Sequence, residues 1–214
     1  MKKLSIITAL TLVLILIMAC KKNKDLTIIQ GVILIGNQMW TTKNLDVAAY
    51  RNGDAIPQVQ DTSAWANLTT GAWCYYANNN ANGTTYGKLY NWYAVNDPRG
   101  LAPNGYHIPT DAEWTTLTTY LGGDSIAGGK MKEVGTWLSP NIGATNSSSF
   151  TALPGGARDD YGEFYGLDEL CRWWSSSEDD ADNAWRRSLD TYNGRLGRSS
   201  LDKQYGYSVR CLRD

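Results

Sequence analysis

The chain is poor in most of the residues that carry chemistry. It holds one histidine, His107, in 214 residues. A Ser–His or Cys–His dyad would have to use that residue, and no Gly-x-Ser-x-Gly elbow accompanies it. One histidine and scattered cysteines also supply no tetrahedral zinc set. Basic residues number 20 and acidic residues 21, for a formal net charge of −1. That balance lacks the basic excess of a nucleic-acid binder, so no nucleic-acid partner is expected. Only one long apolar run occurs, Leu4–Met18. It is short for a membrane span and suits the apolar region of a secretory signal. Phenylalanine is scarce, two against nine Trp and thirteen Tyr. No internal repeat and no linker long enough to separate a second domain is visible.

What is present begins with an address. Lys2 and Lys3 precede the apolar run, which ends at Ile17-Met18-Ala19-Cys20. A small residue before a cysteine resembles the lipobox of a bacterial lipoprotein, where the Cys20 thiol would take lipid. The expected order is a signal peptide over 1–19, a polar tether over 20–25 and one domain over 26–214. Several acyl chains would anchor such a protein stably in a membrane. The outer membrane of the cell envelope is the expected location, with either face open. Export permits disulfides. Cys74, Cys171 and Cys211 remain after Cys20, so at most one bridge can form within the chain.

The clearest local signal is a helix over Asp111–Leu121. Thr110 can cap it, Glu113 completes a capping box, Pro109 limits it backwards and Gly122-Gly123 ends it. Trp114, Leu117 and Leu121 form its buried stripe. A second helix is read over Lys88–Val95, with Leu89, Trp92 and Tyr93 on one face. Leu26–Ile35 reads as a strand pair or one long bent strand, Asp61–Leu68 as a short capped helix, and Asn78–Thr85 as a polar loop. Trp173–Ser177, Ala184–Asp190, Gly194–Ser200 and Tyr207–Leu212 read as strands. Asn193-Gly194 reads as a hairpin turn. Along Ala184–Asp190, Trp185, Arg187 and Leu189 share one face, with Arg186 and Ser188 on the other.

Six motifs occur in order: Ile35-Gly36-Asn37-Gln38-Met39-Trp40, Tyr86-Gly87-Lys88-Leu89-Tyr90-Asn91-Trp92, Gly105 through Trp114, Leu153-Pro154-Gly155-Gly156, Trp173 through Glu178, and Gly206-Tyr207-Ser208-Val209-Arg210-Cys211. Together they resemble the Fibrobacter succinogenes major paralogous domain. His107 through Trp114 is also similar to the helix-start signature of formylglycine-generating enzymes. The resemblance implies an α+β, C-type-lectin-like fold, with two main helices and a twisted antiparallel sheet. Cys74 and Cys211 fall in stretches that follow the family pattern, which makes Cys74–Cys211 the preferred disulfide and Cys171–Cys211 the second choice. Formylglycine-generating enzymes hold copper on a closely spaced thiolate pair. Cys171 and Cys211 are forty residues apart in sequence, so that activity is read as absent and no cofactor is expected.

The expected role is therefore non-catalytic binding of a protein or glycan. Trp, Tyr and Arg dominate binding hot spots. They select Trp185, Arg186, Arg187, Tyr192, Asn193, Arg195, Arg198 and Tyr205 as candidate contacts. An acidic stretch, Asp159 to Asp182, precedes them, so mutual charge pairing stands as the alternative. Asp179, Asp180 and Asp182 form a lesser candidate for Ca²⁺, without the glycine or spacing of an EF-hand loop. Trp40, Trp92, Trp114, Trp173 and Trp174 are assigned to packing. Two further functions are kept as alternatives. One is a structural subunit of an envelope or fimbrial assembly. The other is an envelope hydrolase using an acid–base pair such as Asp159 with Glu178.

Overall fold

The computed structural model describes residues 31–214. The signal stretch, Cys20 and the tether lie outside the described residues. Among those described, no helix is long and apolar enough to cross a membrane.

A four-strand sheet gathers distant parts of the chain in the order β1-β2-β11-β5. Strands β1 (Val32–Ile35) and β2 (Gln38–Thr41) form a hairpin. Strand β11 (Leu212–Arg213) lies between β2 and β5 (Tyr106–His107). A two-strand ladder joins β3 (Trp73–Cys74) to β4 (Leu89–Tyr90). The larger sheet has five strands in the order β10-β9-β8-β6-β7. These are β6 (Gly155–Arg158), β7 (Phe164–Leu167), β8 (Leu170–Glu178), β9 (Asn183–Asp190) and β10 (Gly197–Asp202). The sheet is mixed, not purely antiparallel, because β6 runs parallel to β8 where Gly156 meets Cys171. Gly156 has φ +67°, and a Cβ there would stand 2.4 Å from the Tyr76 ring. Only glycine suits that close approach.

Five helices are present among the described residues: α1 (Thr62–Ala66), α2 (Asn80–Tyr86), α3 (Trp92–Val95), α4 (Asp111–Tyr120) and α5 (Asp124–Met131). The expected start of α4 is present in full, with both halves of the Thr110–Glu113 capping box. Trp114, Leu117 and Leu121 are buried as its stripe requires. Other expectations need correction. Asn78–Thr85 is not a loop throughout, since the Asn79 side chain caps α2. The helix expected over Lys88–Val95 is divided. Leu89 and Tyr90 pair with β3, and Asn91 then caps the short α3. Helix α5 has no counterpart in the sequence reading, because Gly128 and Gly129 argue against a helix. They are there for close packing: a Cβ would meet the Arg195 carbonyl at 2.5 Å or the Gly143 carbonyl at 2.2 Å.

The return strand after β9 begins at Gly197, not Gly194. Asn193-Gly194 belongs to a wider loop tied to α5 and its C-cap. The Gly194 carbonyl accepts from the Gly129 N–H, and the Asn193 carbonyl accepts from Lys132 Nζ. The closing stretch Tyr207–Leu212 is also less regular than expected. Tyr207 and Ser208 make isolated bridges to Tyr90 and Trp173, and the ladder resumes at Leu212.

The two faces of the large sheet differ. Cys171, Trp173, Arg187 and Leu189 share one face by register. Cys171, Trp173 and Leu189 enter a core with Trp40, Trp114 and Phe150 beneath α4 and α5. Arg172, Trp174, Arg186 and Ser188 share the other face. Trp174 enters the second core with Tyr90, Trp92 and Tyr207. Arg172, Arg186 and Ser188 are only half-buried. All five tryptophans assigned to packing are buried.

Candidate binding site

The eight proposed contacts do not form one surface. They separate into three groups, set by strand alternation and loop length.

The first group is closed at Arg187, half-buried at Trp185 and exposed at Arg198. Arg187 is 2 % exposed. It pairs with Asp111 at 2.5 Å and also donates to the Asp111 carbonyl and to Thr115 Oγ1. Arg198 clasps the same carboxylate through Nε and Nη2, at 2.9–3.1 Å. Its guanidinium lies 3.5 Å from the centre of the Trp185 ring. Asp111 opens α4, where a carboxylate also favours the helix dipole. Burial alone would raise the Asp111 pKa, but hydrogen bonds from Arg198 and Arg187 outweigh it and hold the carboxyl low. Arg187 is therefore an internal fastener between β9 and α4, not a surface contact. Trp185 and Arg198 cover the same ion cluster.

The second group is the exposed loop after β9. Tyr192 is 63 % exposed, and Asn193 and Arg195 are exposed with it. The Asp190 carboxylate shapes this loop by accepting from the Tyr192 and Asn193 N–H groups and from Asn193 Nδ2.

The third group lies on the opposite, half-open face. Arg186 sits there diagonally across from Arg172, because Trp174 pairs with Arg186 and Arg172 pairs with Ser188. Diagonal neighbours of this kind have Cα atoms roughly 7–8 Å apart. Arg172 lies 5.8 Å from the centre of the Tyr165 ring, and Arg186 lies 5.7 Å from that of Tyr207. Tyr205 is half-buried beside Tyr207, with ring centroids 5.5 Å apart. Nε of Arg172 and Nε and Nη1 of Arg186 are buried without a hydrogen-bond partner among the described residues. Burial and the neighbouring Arg172 charge both work against the Arg186 cation. Arg172, Tyr165 and Tyr207 were absent from the sequence selection. The signal that finds Arg172 is its alternation with Trp174, which becomes useful once β8 is registered against β9.

The acidic loop does not gather its carboxylates into the cage that the lesser calcium candidate would need. Among the described residues, no group of three or more His, Cys, Asp or Glu side chains could hold a metal ion. Asp180 Oδ1 accepts from the Asp182 and Asn183 N–H groups and from Asn183 Nδ2. The buried Lys203 ammonium donates to the Asp180 and Ala181 carbonyls and to Glu178. A fixed cation thus already occupies the oxygen-rich side of the loop that contains Asp179, Asp180 and Asp182. Glu178 is engaged by Lys203, and Asp159 accepts from the Glu163 N–H.

The expected disulfide is also corrected. Cys74, Cys171 and Cys211 are free and buried. They lie in three different core clusters, so neither Cys74–Cys211 nor Cys171–Cys211 forms. Burial pushes each thiol up to about 12, the behaviour of small hydrophobic side chains and not of nucleophiles. His107 is held at both ring nitrogens, by Asp214 at 2.7 Å and Glu113 at 2.9 Å. Burial opposes its charged form, but these two carboxylates outweigh it and raise the pKa. The ring clasps the C-terminal segment to the start of α4.

No curated protein and no solved structure matches the chain. Residues 33–213 match the family described as the Fibrobacter succinogenes major domain. The match takes in all three sheets, short of Val32 at the start of β1, and all five described α-helices, and the chain belongs to that family.

Proposed function

We propose that the chain is a non-catalytic binding protein of the bacterial cell envelope, held to the membrane by lipid on Cys20. Its C-type-lectin-like domain would present the half-open face of β8, β9 and β10 to a glycan or protein ligand. One observation carries this reading. Arg172 and Arg186 are diagonal neighbours whose buried N–H groups find no partner among the described residues, whereas Arg158, Arg187, Arg210 and Lys132 find partners within the fold. Buried donors are normally satisfied, so a cluster of exceptions marks a place kept for another purpose. Rigid Tyr rings around it suit a preorganised contact surface.

The test is binding of the purified protein to arrayed neutral and acidic glycans and to immobilised envelope proteins. The same assay is repeated with Ser199→Trp. Ser199 pairs with Arg186 on β10, so the large ring would cover this face. Hits lost in the variant, with an unchanged circular-dichroism melt, support the reading. No hits, or hits indifferent to the substitution, would sink it.

A further inference from the structure

The two half-buried guanidiniums define what the ligand must carry. Neither Arg172 nor Arg186 forms an ion pair or a side-chain hydrogen bond among the described residues. Nε of Arg172 and Nε and Nη1 of Arg186 are enclosed. The remaining nitrogens, both Nη atoms of Arg172 and Nη2 of Arg186, are not among the enclosed atoms and make no hydrogen bond among the described residues. Water could satisfy those N–H groups, but water would not neutralise two like charges placed next to each other. The two are diagonal and not directly opposite, but the Arg172 charge still works against the Arg186 cation, and partial burial weakens the solvent screening that would otherwise relieve it. The Tyr165 and Tyr207 rings offer only their quadrupoles. Asp160 bonds the Tyr205 hydroxyl but makes no ion pair with either arginine among the described residues, so both guanidinium forks still lack an oxyanion, the group they bind best.

We propose that the Arg172–Arg186 edge is a site for an oxyanion group, a carboxylate or a sulfate, carried by the ligand, with the Tyr165 and Tyr205 rings flanking it. This rests on the binding reading above and names the chemistry of the ligand that the face takes. The anion would bridge the outward nitrogens of both arginines. Contact with the half-buried rings would add ligand affinity beyond the charge.

Titration of the purified full chain by calorimetry tests this with three probes: sodium glucuronate, sodium sulfate and neutral glucose. Glucuronate or sulfate should bind at least tenfold more tightly than glucose. Arg172→Gln and Arg186→Gln should each weaken that binding at least tenfold, while their melting curves stay native-like. Arg186→Lys keeps the charge without the fork and should lose affinity only in part. Preference for glucuronate assigns a carboxylate, preference for sulfate assigns a tetrahedral group, and either supports the site. Absence of anion binding in the native protein, or equal binding in the Arg172→Gln/Arg186→Gln double variant, overturns it. A ligand that Ser199→Trp blocks, but that binds equally well with its acidic groups removed, would overturn the oxyanion assignment alone and leave the binding reading standing.

Discussion

Arg186 and Arg187 are adjacent in one strand, yet they belong to different parts of the molecule's economy. Arg187 points under α4, meets Asp111 and is nearly sealed from water. Arg186 points to the other face, lies near Arg172 and over the Tyr207 ring, and leaves donors unpaired among the described residues. Composition and local charge treat the two alike. Strand alternation separates them, because a period of two sends successive side chains to opposite faces. Which arginine is architecture then depends on what lies above each face. The helix over one face brings a carboxylate at its first turn. On the other face Asp160 reaches the Tyr205 hydroxyl, but among the described residues no carboxylate pairs with Arg172 or Arg186.

The contrast is sharpest one strand away, at Arg172 and Trp173. Trp173 is completely buried, packs against Trp114 and Phe150, and donates to Asn44 Oδ1. Trp173→Ala should cost about 3–5 kcal/mol, the usual range for a fully buried tryptophan. Arg172→Ala should change stability by no more than about 0.5 kcal/mol, as for a site without structural partners. Urea unfolding of both variants measures the difference directly. Similar losses for the two would mean that the half-open face is structural as well.

The adjacent arginines give the next largest effect. Arg187→Ala would leave Asp111 with Arg198 alone and would unseat Thr115. Removing one partner of a buried ion pair costs about 3–5 kcal/mol. The remaining Arg198 contact should keep the loss near the lower end, about 3 kcal/mol. Arg186→Leu removes a like charge and its unpaired donors, so it should be neutral or stabilising by up to about 1 kcal/mol. Stabilisation accompanied by lost ligand binding would mark Arg186 as held for function at a cost to the fold. Strong destabilisation by Arg186→Leu would erase the distinction between the faces.

How much of this was legible in the sequence follows from the range of each interaction. The start of α4 was fully legible, because Thr110, Glu113 and Pro109 act within a few residues. The partition of Trp185, Arg186 and Arg187 between faces was also legible from alternation. Which face is covered was not. Arg187 acquires its meaning from Asp111, 76 residues away in sequence. Helix α5 was hidden because glycines at Gly128 and Gly129 read as helix breakers. Their purpose appears only against the Arg195 and Gly143 carbonyls. The calcium reading failed for a similar reason. The acidic cluster is local, but the lysine that serves it, Lys203, arrives on the chain after β10. The Cys74–Cys211 pairing failed because a shared family pattern carries no statement of distance between separate cores.

His107 offers the smallest effect and a separate control on the comparison. Like Arg187, it meets a carboxylate in the first turn of α4, here Glu113, with Asp214 on its other nitrogen, but it lies nearer the surface. Its folded-state pKa is raised above the ordinary histidine value of about 6.5. Folding therefore favours the imidazolium. The stabilisation is fully present below about pH 6.5 and is lost as pH rises through the folded-state pKa. Urea midpoints measured from pH 5.5 to 9 should fall for the native chain relative to His107→Gln, and the two should converge at the alkaline end. If the gap between them does not change with pH, the ring acts as a neutral hydrogen-bonding strut and its charge has no part in the clasp. A gap that closes on the alkaline side would make His107 a titratable counterpart of Arg187: a cation whose worth depends on carboxylates already in place. Among the described residues Arg172 and Arg186 pair with no carboxylate, and the proposed anionic ligand would supply that partner.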